Sequence, residues 1–196
     1  SVMARLLQGV PLNNDECRIV GSAGVRDVLV ASTPKHRGDE LLYTRVFMRD
    51  ITERNRAAQT ANRLAAIVES SEDAIVSKDS QGIVISWNRG AEALFGYTAG
   101  EMIGQSIRKV IPADRQAEED EVLRRIRAGE RLEHYETVRQ RKDGSFVDIS
   151  LSVSPVKDPR GRIVGASKIA RDITDRKRAE AAFREGADWH RGLIDT

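Results

Sequence analysis

Four residues occur in the same order twice in this chain. Arg49-Asp50-Ile51-Thr52 and Arg171-Asp172-Ile173-Thr174 each close an apolar, strand-like run and open a charged, alanine-rich stretch of helical character. The flanks repeat as well, Thr52-Glu53-Arg54-Asn55-Arg56-Ala57 against Thr174-Asp175-Arg176-Lys177-Arg178-Ala179. An internal repeat constrains a fold more tightly than composition does, because both copies must be built from the same supersecondary unit. A strand that hands over to a projecting helix is a mechanical joint, and a joint made twice points to a relay.

The match extends backwards from each copy. Asp27-Val28 through Pro34 aligns with Asp148-Ile149 through Pro155, and a turn glycine follows each, Gly38 and Gly161. Gly24 matches Gly144, and Gly9-Val10-Pro11-Leu12 matches Gly129-Glu130-Arg131-Leu132. The offsets drift by a residue or two, as surface loops allow. Residues 1–52 therefore read as the C-terminal half of a first domain, 53–70 as a connecting helix, and 71–174 as a complete domain. Residues 175–196 read as a second connecting helix leading to a further domain, since Leu193-Ile194-Asp195-Thr196 resembles Ile67-Val68-Glu69-Ser70.

Charge and cysteine content narrow the partners. The 32 basic and 30 acidic residues are interspersed, so no segregated stripe argues for nucleic acid. A single cysteine, Cys17, excludes an internal disulfide framework and fits the reducing cytoplasm. No apolar run approaches the length of a membrane span, so no membrane contact is expected from this segment.

Along the chain, residues 1–8 read as a helix end, Gly9–Asn14 as a turn, and Glu16–Val20, Asp27–Ser32 and Leu41–Met48 as strands. This piece has a thin core and an open edge. In the next helix Ala57, Ala61, Leu64 and Val68 form a short heptad-like stripe, suited either to a two-helix seam or to its own domain. Thr52 stands where a helix cap is expected. Strands at Asp73–Lys78 and Ile83–Trp87 follow, then short helices, a longer helix at Asp114–Arg127, and three strands. Thr98 and Glu101 have capping-box spacing, and Asp143-Gly144 marks a tight hairpin with both central residues at positive φ. Glu118-Glu119-Asp120 reads as a solvated helix face. The order of elements predicts an α+β fold, an antiparallel sheet with helices over one face.

An ordered set of short motifs resembles the PAS fold with its C-terminal PAC motif. The set is Glu72-Asp73-Ala74-Ile75, Asn88 with Phe95-Gly96-Tyr97, Glu101-Met102-Ile103-Gly104, Arg141-Lys142-Asp143-Gly144, and the Arg171-Asp172-Ile173-Thr174 joint. The resemblance implies a five-stranded antiparallel sheet and short helices around a small pocket. It also implies a signal-input or dimer-relay module, fused to a histidine kinase, a cyclic-dinucleotide enzyme or a transcription regulator. Fold analogy fixes no ligand.

Covalent flavin chemistry in this family needs a cysteine where Ile107 stands, so that cofactor is argued against, while non-covalent flavin stays open. Haem-binding members carry a histidine on the long helix, and Asp114–Arg127 has none. His134 and His36 read as ordinary strand and turn residues. His190 lacks the acid that follows a kinase phosphoacceptor. No phosphate loop, metal-ligand cluster or nucleophile–base pair is visible, so no cofactor, metal or catalytic residue is predicted. Trp87 and Phe95 are assigned to the core, and Glu101 with Lys142 to a surface ion pair.

The sequence thus predicts a non-catalytic sensory or relay module, homodimeric through its connecting helices, in a bacterial two-component sensor histidine kinase. A small-ligand or cofactor sensor governing a cyclic-dinucleotide enzyme or a transcription regulator is the alternative. From Thr52 to Ile67 is 15 positions and from Thr174 to Leu193 is 19, a difference of about one α-turn. Successive domains would then follow in nearly the same rotational phase.

Overall fold

The computed structural model describes residues 2–22 and 24–192, with side chains described as far as Arg184. Two compact units divide the chain, residues 1–65 and 66–196.

The first unit opens with helix α1 (Val2–Leu7) and continues as three antiparallel strands, β1 (Leu12–Gly21), β2 (Gly24–Arg37) and β3 (Glu40–Asp50), in that spatial order. The expected turn at Gly9–Asn14 is shorter than the sequence suggests. β1 already pairs Leu12 with Ser32, and Asn14 occupies positive φ inside a bulge that ends at Asp15. Its core is small: Leu12, Val28 and Val30 are buried, with Val2, Leu6, Cys17 and Val46 packed beside them. Helix α2 (Thr52–Glu69) follows β3.

The second unit is an α+β domain built on a five-stranded antiparallel sheet. Its strands are β4 (Ala74–Asp79), β5 (Val84–Trp87), β6 (Leu132–Gln140), β7 (Phe146–Lys157) and β8 (Ile163–Asp172), ordered β5-β4-β8-β7-β6. Between β5 and β6 come α3 (Arg89–Phe95), α4 (Ala99–Met102), two 3₁₀ turns (Ile107–Val110 and Ala113–Arg115) and α5 (Gln116–Arg127). Val147, Ile149, Leu151 and Val153 of β7 alternate inward against Val122 and Ile126 of α5 and against Phe95, Met102, Ile107 and Val110. Period-two apolar placement on the strand thus meets period-3.6 placement on the helix. Trp87 and Phe95 lie in this core with ring centroids 5.4 Å apart.

Local chemistry sets the turns. Asp79 Oδ1 accepts from the Gln81 and Ile83 N–H groups and closes the β4–β5 hairpin. The β6–β7 hairpin departs from expectation: only Gly144, at φ 87°, is at positive φ. Gly144 N–H bonds to Arg141 C=O and Asp143 accepts from Ser145 N–H, so the loop is longer than a two-residue turn. Gly90 has a different reason to be glycine. A Cβ there would stand 2.3 Å from the Asp73 carbonyl oxygen, so the start of α3 can lie on β4 only without one. Helix α6 (Thr174–Gly192) leaves β8.

Candidate functional site

The two joints use the same hydrogen-bond pattern. In the first, Asp50 Oδ1 accepts from Thr52 N–H at 2.9 Å, Ile51 N–H donates to Asp27 C=O, and Asn55 N–H donates to Ile51 C=O. In the second, Asp172 Oδ1 accepts from Thr174 N–H at 2.8 Å, Ile173 N–H donates to Asp148 C=O, and Lys177 N–H donates to Ile173 C=O. Ile51 and Ile173 are both buried. An aspartate caps the helix start and an isoleucine is pinned to the neighbouring strand in both joints. Hydrogen bonds to Thr52 and then Arg26 hold the Asp50 carboxyl down to about 2.

Thr52 does not cap its helix. It lies within the first turn, and its Oγ1 accepts from Asp27 N–H at 3.0 Å, so Asp50 binds the free helix N–H instead. Thr174 Oγ1 is buried without a partner among the described residues. Arg171 forms a two-point pair with Asp73 (3.0 and 2.7 Å), tying the end of β8 to the approach to β4, and lowers the Asp73 pKa. Asp172 also accepts from Arg141. Arg49 makes no ion pair or side-chain hydrogen bond among the described residues.

Glu101 and Lys142 meet at 2.5 Å, both partly exposed. Lys142 first and the Thr98 N–H second hold the Glu101 carboxyl down to about 2. His134 sits at φ 52° in a β6 bulge, and His36 pairs with Leu41 at the end of β2 rather than lying in a turn. His190 lies on α6, and its side chain falls outside the described residues, as do Leu193–Thr196.

At the entry to the second unit, the Asn88 side chain satisfies four groups. Oδ1 accepts from Ile75 N–H (2.8 Å) and Ala91 N–H (2.9 Å), and Nδ2 donates to Val68 C=O (2.9 Å) and Asp73 C=O (3.1 Å). This buried amide joins the end of α2, the start of β4 and the start of α3.

The largest departure from the sequence reading lies inside. Glu119 is 1% exposed and receives both Lys78 and Lys168, with Lys168 Nζ at 2.7 Å from Oε2. Glu118 accepts from Thr137 Oγ1 (2.7 Å) and Arg139 Nη1 (2.9 Å). Only Asp120 of the acidic run faces solvent. Burial pushes the Glu119 pKa up, but the two ammonium groups outweigh it and the net shift is down. Burial drives Lys168 down to about 7 against the opposing pull of Glu119. Beside these charges is a cavity of about 20 Å³, lined among others by Phe95, Ile107, Val110, Ile149, Arg139 and Lys168.

A family profile described as the PAS fold matches residues 62–173. The chain belongs to the PAS family. A PAS domain from Colwellia psychrerythraea is 32% identical with a TM-score of 0.54, aligning over 59% of this chain and 98% of its own. The PAS domain of an HTR-like protein from Haloarcula marismortui is 26% identical with a TM-score of 0.52, over 62% and 98%. Among curated sequences, the two-component system protein A of Emericella nidulans is 30% identical over 79% of this chain and 24% of its own length. The signal transduction histidine-protein kinase AtoS of Escherichia coli is 28% identical over 64% and 20%. This PAS chain thus spans a quarter or less of the curated relatives it matches. Among the described residues, no helix is long and apolar enough to cross a membrane and no side-chain group has the make-up of a metal site.

Proposed function

We propose that this PAS segment is a non-catalytic sensory and relay module of a cytoplasmic two-component signalling protein, of the sensor histidine kinase type. Residues 1–52 form the closing half of a preceding domain of the same kind, and α2 and α6 are the signal helices. The observation that carries this is the duplicated joint. Asp50 and Asp172 each bond the first helix N–H, with Ile51 and Ile173 each pinned to the neighbouring strand. Such a junction converts a shift in the sheet into a tilt or rotation of the helix. Homodimerisation through the helices is supported by Leu64, Ile67 and Val68 on α2 and Phe183 on α6, all apolar and exposed.

The test is phase. In the full-length parent, deleting one or two residues within Ala181–Asp188 turns everything downstream by about 100° per residue, whereas removing seven restores a heptad phase. Loss of regulated output with one or two, and its return with seven, is expected. Regulation that survives the short deletions rules out a rigid-helix relay.

A further inference from the structure

The outer face of the first sheet, the side away from Val28 and Val30, alternates rings and cations. Tyr43, Arg45, Phe47 and Arg49 of β3 share that face, as every second residue of a strand does, and all four are exposed, Tyr43 by 54% and Phe47 by 62%. Directly opposite them on β2 stand Lys35, Thr33, Ala31 and Leu29, in that order. The side chains of Lys35, Arg45 and Arg49 make no ion pair or hydrogen bond among the described residues. Two acids of the same face are already spent, Asp27 on Arg18 and Glu16 on Arg54. Charges that are mixed along the chain are thus sorted by folding into a cationic strip. A groove of about 430 Å³ lies on it, lined among others by Leu29, Ala31, Phe47, Arg49 and Asn14.

The strip is not a by-product of the architecture. In the second unit the matching positions of β8 are Gly165, Ser167, Ile169 and Arg171, and those of β7 are Ser150, Ser152 and Ser154. None of these is a ring, and Arg171 is taken up by Asp73.

We propose that this face binds single-stranded RNA, with bases stacked on Tyr43 and Phe47 and phosphates on Lys35, Arg45 and Arg49. Residues four apart in a strand lie about 14 Å from each other, so a cation sits between the two rings and another beyond them. That order suits a polymer that repeats base and phosphate, since a flat ring meets a base of any sequence. A single nucleotide would use one ring and leave the rest of the row idle. A second copy of the chain would set three unpaired cations against three more. A lipid surface would use the charge but not the alternation. The Thr33 hydroxyl, opposite Arg45, and the Asn14 amide in the groove can bond to a 2′-hydroxyl, which selects RNA over DNA. Neither signal helix supplies a base or phosphate contact, so the site and the relay stand or fall separately.

The test uses the whole chain and fluorescein-labelled oligo(U) of about eight nucleotides, followed by anisotropy. Saturable binding is expected, and with three phosphates neutralised log affinity should fall against log salt with a slope of about −2. Arg45→Gln and Arg49→Gln should each flatten that slope by about 0.7. Phe47→Leu keeps an apolar side chain and loses the ring. It should weaken binding about fivefold or more at fixed salt with the slope unchanged, and Phe47→Trp should restore it. Ile169→Leu, the matching position of the second unit, should leave the affinity as it is. No saturable binding, oligo(dT) binding as tightly as oligo(U), inorganic polyphosphate competing as well as oligo(U), or full affinity in Phe47→Leu overturns the proposal. Capture of phosphatidylserine vesicles in place of the oligonucleotide would give the face to a membrane and overturn it too.

Discussion

Asn88 shows how much one side chain can settle in this fold. Its four hydrogen bonds reach Val68, Asp73, Ile75 and Ala91, so three elements meet on a single buried amide. Truncation removes all four partners at once and leaves two backbone donors and two acceptors needing water in a closed site. Asn88→Ala is therefore expected to lower the unfolding free energy by on the order of 3 kcal/mol, read as a reduced urea midpoint. A loss under about 1 kcal/mol would mean that water replaces the amide and the hub is dispensable. Asn88→Asp makes the complementary test. It keeps the acceptor for Ile75 and Ala91 but sets a carboxylate against the Val68 and Asp73 carbonyls, so most of the loss should remain. The residue was visible in the sequence only as part of a motif. Nothing local to Asn88 announces that its partners lie 13 and 20 positions upstream.

At the scale of elements, α5 is decided by charges it does not carry. Its acidic run looks solvated because Lys78 and Lys168, the partners of Glu119, are 41 and 49 residues away. A signal was nonetheless present. Lys78 falls in phase with the inward Ala74 and Val76, and Lys168 with the inward Ala166 and Ala170, so each lysine occupies a core position of its strand. Strand alternation and the two joints were legible because they depend on neighbours in sequence, whereas the turns at Gly9–Asn14 and Asp143-Gly144 were placed correctly only in part. The buried charges were not legible, because they depend on which strands the topology places under α5. Below pH 7, where Lys168 is still charged, Glu119→Gln leaves two buried ammonium groups without a counter-charge and should cost about 3–5 kcal/mol. Replacing the group together, by Lys78→Met, Glu119→Leu and Lys168→Met, should recover most of that in urea titrations. The pH profile gives a second readout. Between about 7 and 10.5 the unfolded chain holds a Lys168 proton that the folded chain lacks, so the native protein gains stability as pH rises through that window. The triple variant should lose that slope. A single Glu119→Gln change that costs nothing, or a slope that survives the triple replacement, would contradict the arrangement.

On the scale of the whole molecule, the two units differ in how much each can support by itself. In the second, β8 lies between β4 and β7, and 19 buried residues form one apolar cluster beneath the helices. In the first, β3 ends in the same tetrapeptide as β8 but, among the described residues, pairs with β2 alone, and the buried apolar cluster there holds three residues. Val20, Phe47 and Met48 are each more than 60% exposed. Three strands with so little buried apolar area cannot offset a backbone ordering cost of about 1–2 kcal/mol per residue. Residues 66–192 expressed alone should therefore give a dispersed amide spectrum and one cooperative urea transition. Residues 1–65 alone should show neither, and should broaden or self-associate through the open β3 edge and the exposed Phe47 and Met48. The contrast bears directly on the proposed half-domain. A lone 1–65 fragment that unfolds cooperatively as a monomer would be a domain in its own right, and its likeness to residues 129–174 would then be a likeness of strands and joint only. A fragment that stays unfolded alone but orders when supplied in trans with strands able to pair with β3 would establish that its sheet is built to be completed.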